Sequence, residues 1–164
     1  MRNFSFLFAA FLYLFLGTSS SFSQGAKDIV IKYSINAEAI FNGGSVEENS
    51  KISDNNRGSS RNGKPSDFES EAYISKFINW EIVDTGNHQE AYQIKFLDFP
   101  WTGNIEAFAQ NPIPGGGRKA KVKVEDTSGE GSVKYTIRFT IKSAVTGETK
   151  TFELDPKIRI TTTP

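Results

Sequence analysis

The sequence predicts an all-β protein, an antiparallel Greek-key β-sandwich of about seven strands. Three observations carry this reading. Apolar and polar residues alternate with a period of two through most of the chain, as pleated strands require. Clusters of Gly, Asn, Asp, Pro and Thr punctuate those stretches at short intervals. No stretch carries the 3.6-residue period of an amphipathic helix, and 164 residues suffice for one domain of ordinary size.

The first segment has a different character. Met1 to Leu16 reads MRNFSFLFAAFLYLFL, one basic residue and then an apolar run. A membrane-crossing helix needs roughly 20 apolar residues, and this run falls short. Small and polar residues follow, with Ser21 and Ser23 at the −3 and −1 positions for cleavage before Gln24. Residues 1–23 are therefore expected to be a secretory signal peptide, and 24–164 a single sandwich domain without a membrane span.

Within that domain, Ile29, Ile31, Tyr33 and Ile35 alternate with Val30, Lys32, Ser34 and Asn36, giving the first strand. Asn42 to Asp67 contains almost no large apolar residue beyond Val46 and Ile52, and is expected to be a long mobile loop. From Glu71 to Val83 both faces carry large apolar residues, among them Tyr73, Phe77, Ile78 and Trp80, which marks a central strand. The turn Asp84–Asn87 leads to a strand over Ala91–Phe99, and Ile105–Gln110 can form at most a helical turn. Lysines 119, 121 and 123 alternate with Ala120, Val122 and Val124 in the next strand. The clearest alternation is Ser132–Lys142, with Val133, Tyr135, Ile137, Phe139 and Ile141 facing one way, as in a sheet with one wet face. A Thr-Gly turn within 144–148 and two closing strands, Lys150–Leu154 and Lys157–Thr162, complete the set.

Composition excludes several chemistries. Nineteen basic and nineteen acidic residues give a formal net charge of zero, unlike the strongly basic domain of a nucleic-acid binder. Cysteine is absent, which removes disulfides, thiol catalysis and thiolate-bound metals. His88 is the single histidine and Met1 the single methionine.

Five features from Ile74 onward resemble the cupredoxin-like sandwiches of small exported bacterial proteins. They are Ile78-Asn79-Trp80-Glu81-Ile82, His88 just after a turn, the Gly115-Gly116-Gly117 loop, the strand Val133–Ile137, and the ending Leu154–Ile160 with its Asp-Pro-Lys-Ile. The resemblance implies a sandwich fold and, in copper-binding members, a thiolate, two imidazoles and a weak thioether. Near Ile137, where the family places its cysteine, the chain has an aliphatic side chain, and no histidine or methionine follows. One imidazole cannot build that site, so no copper and no other cofactor is expected.

The remaining candidates are binding residues. Trp101, beside Pro100 and Gly103, can stack on a sugar ring or anchor a partner if it projects from a strand end, with Asn104 and Gln110 as hydrogen-bonding neighbours and Tyr92 as a second platform. The plainer account folds Trp101 over one end of the core. His88 can bind a metal only with carboxylates such as Glu90 or Asp84, and otherwise is a surface turn residue. Arg118, Lys119, Lys121 and Lys123, joined by Lys134, Arg138 and Lys142, can attract a polyanion or serve simply as the wet face of a sheet. Asp54–Gly58 fails the calcium-loop pattern, with Gly58 at its fifth position and Pro65 at its twelfth. No nucleophile motif or phosphate loop is present. The expectation is an exported, non-catalytic module binding an unknown protein or a glycan, through Phe99–Gln110, Ile113–Arg118 or the 42–67 loop.

Overall fold

A computed structural model of the protein describes residues 25–126 and 129–162. The expected signal segment, 1–23, lies outside the described residues. The strands are β1 (Ile29–Ile35), β2 (Ser50–Asp54), β3 (Ser59–Ser60), β4 (Phe68–Tyr73), β5 (Phe77–Asp84), β6 (Tyr92–Phe99), β7 (Trp101–Gly103), β8 (Ile113–Gly117), β9 (Lys119–Lys123), β10 (Gly131–Tyr135), β11 (Ile137–Ser143), β12 (Thr149–Leu154) and β13 (Lys157–Thr161). One short helix, α1 (Ala37–Phe41), follows β1. The fold is all-β and sandwich-like, built from an eight-stranded sheet in the order β12-β11-β6-β8-β9-β5-β1-β2 and a five-stranded sheet in the order β3-β4-β13-β10-β7.

The sheets are mixed, which corrects the purely antiparallel expectation. β1 runs parallel to β5, and β4 runs parallel to β13. Alternation reports which face a side chain takes but not the direction of the neighbouring strand. The parallel β1–β5 pair arises because the intervening chain leaves the large sheet, forms β3 and β4 in the small one, and returns.

Three stretches of chain pass between the large sheet and the small one at a bend, and one of them, Ser132–Lys142, was expected as a single strand. β6 becomes β7 at Pro100, β11 is the continuation of β10 past Thr136, and β12 becomes β13 at Asp155-Pro156. The three bends lie side by side and are tied together. The Thr136 amide donates to the Pro100 carbonyl (2.8 Å), the Tyr135 amide to the Pro156 carbonyl (3.2 Å), and the Thr136 hydroxyl to Asp155 (2.7 Å). Strands that change sheets at such corners close a core without a long connection.

The run expected as one central strand, Glu71–Val83, is split into β4 and β5. Ser75, at φ 65°, turns the chain between the sheets, and the Lys76 amide closes the turn on the Tyr73 carbonyl (3.1 Å). Large residues on both faces there reflect membership of two sheets rather than burial of both faces of one.

A single apolar cluster joins the two sheets. Trp80 of β5 stacks on Phe99 of β6 with ring centroids 4.7 Å apart, and its indole N–H donates to the Tyr135 hydroxyl of β10 across 3.3 Å. Burial pushes the Tyr135 phenol well above its usual range, so it stays neutral and serves as a hydrogen-bond partner.

The 42–67 segment, expected as a mobile loop, instead carries β2, β3 and a 3₁₀ turn at Pro65–Asp67. Of its few apolar groups, Ile52 is buried in register with Tyr33 and Val46 packs, partly buried, against the core. Polar side chains hold the rest. Asn55 accepts from the Val30 amide (2.9 Å), and Asn56 donates to the Glu71 carbonyl (2.8 Å). Glu71, itself buried, pairs with Arg159 at 2.5 Å and lies 3.6 Å from Arg57. Asn36 caps α1 by accepting from the Ala39 amide (3.1 Å). A segment ordered by Asn and Asp side chains bonded to backbone looks, by composition, like one that cannot order.

Candidate functional site

The geometry that shapes the surface begins at the glycine run. β8 pairs with β6, β9 pairs with β5 over Lys119–Lys123, and β8 meets β9 in register only at Gly116 and Lys119. The eight-stranded sheet is therefore joined at its middle by a narrow neck. Gly115 is required there: a Cβ on it would lie 2.6 Å from the carbonyl oxygens of both Phe96 and Leu97, where the β6–β8 register shifts.

A groove of about 700 Å³ lies beside this neck. Asp28 just ahead of β1, Val30 of β1, Asn79 and Glu81 of β5, Lys119 and Lys121 of β9, and Pro114–Gly116 of β8 line it, and its surface is predominantly apolar. Alternation explains the lining. Ile29, Ile31, Ile78, Trp80 and Ile82 point into the core, so Val30, Asn79 and Glu81 point outward. Lys119 pairs with Glu81 at 2.9 Å, and the Lys121 ammonium sits 3.9 Å from the centre of the Phe77 ring.

The groove opens on a cationic face. The outward positions of the large sheet carry Lys51 on β2, Lys32 on β1, Lys119, Lys121 and Lys123 on β9, Lys95 on β6, and Arg138 and Lys142 on β11. Carboxylates on this side include Asp28, Glu81, Asp98, Glu153 and Asp126, the last 3.7 Å from Lys123. Arg138 is held by Asp98 and Glu153, at 3.6 and 3.0 Å. Lys32, Lys51, Lys95 and Lys142 have no ion-pair partner among the described residues. In a chain of zero net charge, one face is thus markedly positive. Lys134 does not belong to it: it lies on β10 in the small sheet, 3.4 Å from Asp155.

The aromatic candidates do not form a platform. Trp101 is 8% exposed, edge-on to Phe108, and its indole N–H donates to the Gln110 carbonyl (2.8 Å). The Asn111 side chain pairs with the Trp101 backbone like a one-residue strand, at 3.2 and 2.9 Å. Trp101 is thus packed into the core cluster, with its indole N–H already bonded. Asn104 is exposed, with its side-chain oxygen 3.4 Å from the Ser132 amide. Tyr92 is half-buried against Phe41 at the opposite end of β6, so these three residues share no surface.

His88 is exposed, and its Nδ1 lies 2.8 Å from a Glu38 carboxylate oxygen. Among the described residues, no group of three His, Asp or Glu side chains is placed to hold a metal. The hydrogen bond to Glu38, and secondarily its charge, raises the imidazole pKa above the usual 6.5. Protonation of His88 therefore favours the folded arrangement. The contribution is fully present below pH 6.5 and is lost as pH rises through the higher folded-state value. An NMR titration of His88 is expected to give a midpoint above 6.5, returning toward 6.5 in Glu38→Gln; an unchanged midpoint in that variant would show that the pair does not form in solution.

Ile113–Arg118 and the alternating lysines are separate features of the sequence, and Pro114–Gly116 of the one and Lys119 and Lys121 of the other line one groove. Val30 and Asn79 also line it, although in the sequence they read as ordinary wet-face positions. No signal within the sequence shows that β1 runs beside β5.

Among known proteins, no family model matches the chain, and no curated protein matches it in sequence. Among solved structures, the chain is similar to an inclusion body protein, PixA, from Burkholderia cenocepacia. The TM-score is 0.60 at 11% identity, covering 82% of this chain and 96% of that one. At that identity the likeness is one of fold.

Proposed function

We propose that the protein is an exported, non-catalytic, cupredoxin-like binding or interaction module, with the groove between β8–β9 and β1–β5 as its ligand seat. The observation that carries the reading is the groove itself, a largely apolar concavity with a few convergent polar groups, which is how ligand sites are commonly built. The signal-like N-terminus supports export. Ile137, fully buried and aliphatic at the position the resemblance gives to cysteine, supports a fold used without copper. Among the described residues, no helix is long and apolar enough to cross a membrane. A carbohydrate module working through Trp101, Asn104 and Tyr92 has less support, because the indole is covered.

Thermal melts of the full chain, untagged, against panels of metals, glycans and acidic polymers test this reading. A ligand at a hundred times its dissociation constant adds about 2.7 kcal/mol, a rise of several degrees. The rise is expected in the native chain and absent in Val30→Trp, which fills the groove from an outward position. A rise that survives Val30→Trp and vanishes in His88→Ala would overturn the assignment in favour of a metal site.

A further inference from the structure

We infer that the occupant of this groove is an acidic polysaccharide, a sugar chain bearing carboxylate or sulfate groups. The inference deepens the reading above and rests on it. Charge complementarity comes first. Lys32 and Lys119 flank Glu81 in one cross-strand row, since Glu81 is in register with both, and Lys121 stands on the next row beside Asn79. Within the groove Lys119 and Lys121 stand among Asn79 and the carboxylates Asp28 and Glu81, and the excess of positive charge comes from the surrounding face, Lys32 beside Glu81 first. A polyuronate or sulfated glycan presents the matching groups, with acid groups separated by hydroxyls that donate to Glu81 and accept from Asn79. The apolar lining suits the C–H faces of the rings.

The same face is poorly suited to other anions. Stacking a nucleic-acid base needs a free ring, and Phe77 is covered by Lys121. A bilayer surface calls for apolar anchors beside the charges, and Leu97 is the large exposed apolar residue of this face among those described.

The experiment is equilibrium binding of the full chain to polygalacturonate, a sulfated glycan, a neutral glucan, poly-glutamate, single-stranded DNA and phosphatidylserine vesicles. Binding to at least one of the two acidic polysaccharides is expected, together with loss of that binding at high salt and none to the glucan. Which of the two binds identifies carboxylate or sulfate as the acid group. Lys32→Glu with Lys121→Glu should weaken binding about tenfold or more. Lys134→Glu with Lys157→Glu, a swap of equal charge on the small sheet, should change it by less than about twofold. Folding of each variant is checked by its melt. Absence of binding to both acidic polysaccharides overturns the inference. Tighter binding to poly-glutamate, DNA or vesicles, or an equal loss from the small-sheet swap, does so too. Glucan binding that Val30→Trp abolishes and the lysine swap spares overturns the acidic ligand but keeps the groove. Acidic-glycan binding that the lysine swap abolishes and Val30→Trp spares overturns the groove.

Discussion

Trp80→Ala is expected to lose about 3–5 kcal/mol of folding stability, the range for removing a large aromatic side chain from a packed core. Trp80 is fully buried and touches both halves of the fold, stacking on Phe99 and lying 5.8 Å, centroid to centroid, from Tyr135. Domains of this size are stable by only about 5–15 kcal/mol, so the loss is a large fraction of the total. Trp80→Phe separates two contributions. It keeps most of the apolar volume but removes the indole N–H that the buried Tyr135 hydroxyl accepts. A loss of about 1–3 kcal/mol is expected for that variant. Urea unfolding of the three proteins measures both. A Trp80→Ala loss below about 1 kcal/mol would mean that the sheets are not joined through this ring.

Gly115→Ala is expected to destabilise by about 2–3 kcal/mol, because its methyl group would meet two backbone carbonyls at 2.6 Å and neither can swing away as a side chain would. Gly116→Ala is the internal comparison. Its methyl group would meet one carbonyl oxygen, that of Lys119, at 3.2 Å, and a loss below about 1 kcal/mol is expected. Equal losses at the two positions would contradict the close β6–β8 approach. Because Pro114–Gly116 form one wall of the groove, Gly115→Ala should also weaken whatever the groove binds, beyond its effect on the melt.

Most strands were legible because each shows alternation over five or more residues, and β1, β6, β9, β12 and β13 fall where the pattern puts them. What alternation cannot carry is the change of sheet. Ser132–Lys142 keeps its period through Thr136 while the chain passes from β10 in one sheet to β11 in the other. The period depends on backbone pleating, which a corner need not interrupt. The ordering of 42–67 was hidden for a different reason. Its anchors are Asn55, Asn56 and the pairing of Glu71 with Arg159, and these contacts span 15 to 88 residues of sequence. Trp101 illustrates the limit for a single residue. Proline and glycine neighbours suit an exposed strand end and a capped core equally well, and only the Asn111 and Gln110 contacts decide between them. The groove was legible as two unrelated features, a glycine run and a lysine series, and the β1–β5 pairing supplies its other wall.

The most direct test of the groove as binding seat is an amide chemical-shift map of the full chain at saturation with an acidic polysaccharide. The account predicts that the largest shifts fall on Val30–Lys32, Asn79–Glu81 and the Gly115–Lys121 hairpin, with Trp101, Asn104 and His88 unmoved. Shifts confined to Trp101–Gln110, or spread evenly over the lysines of both sheets, would contradict it.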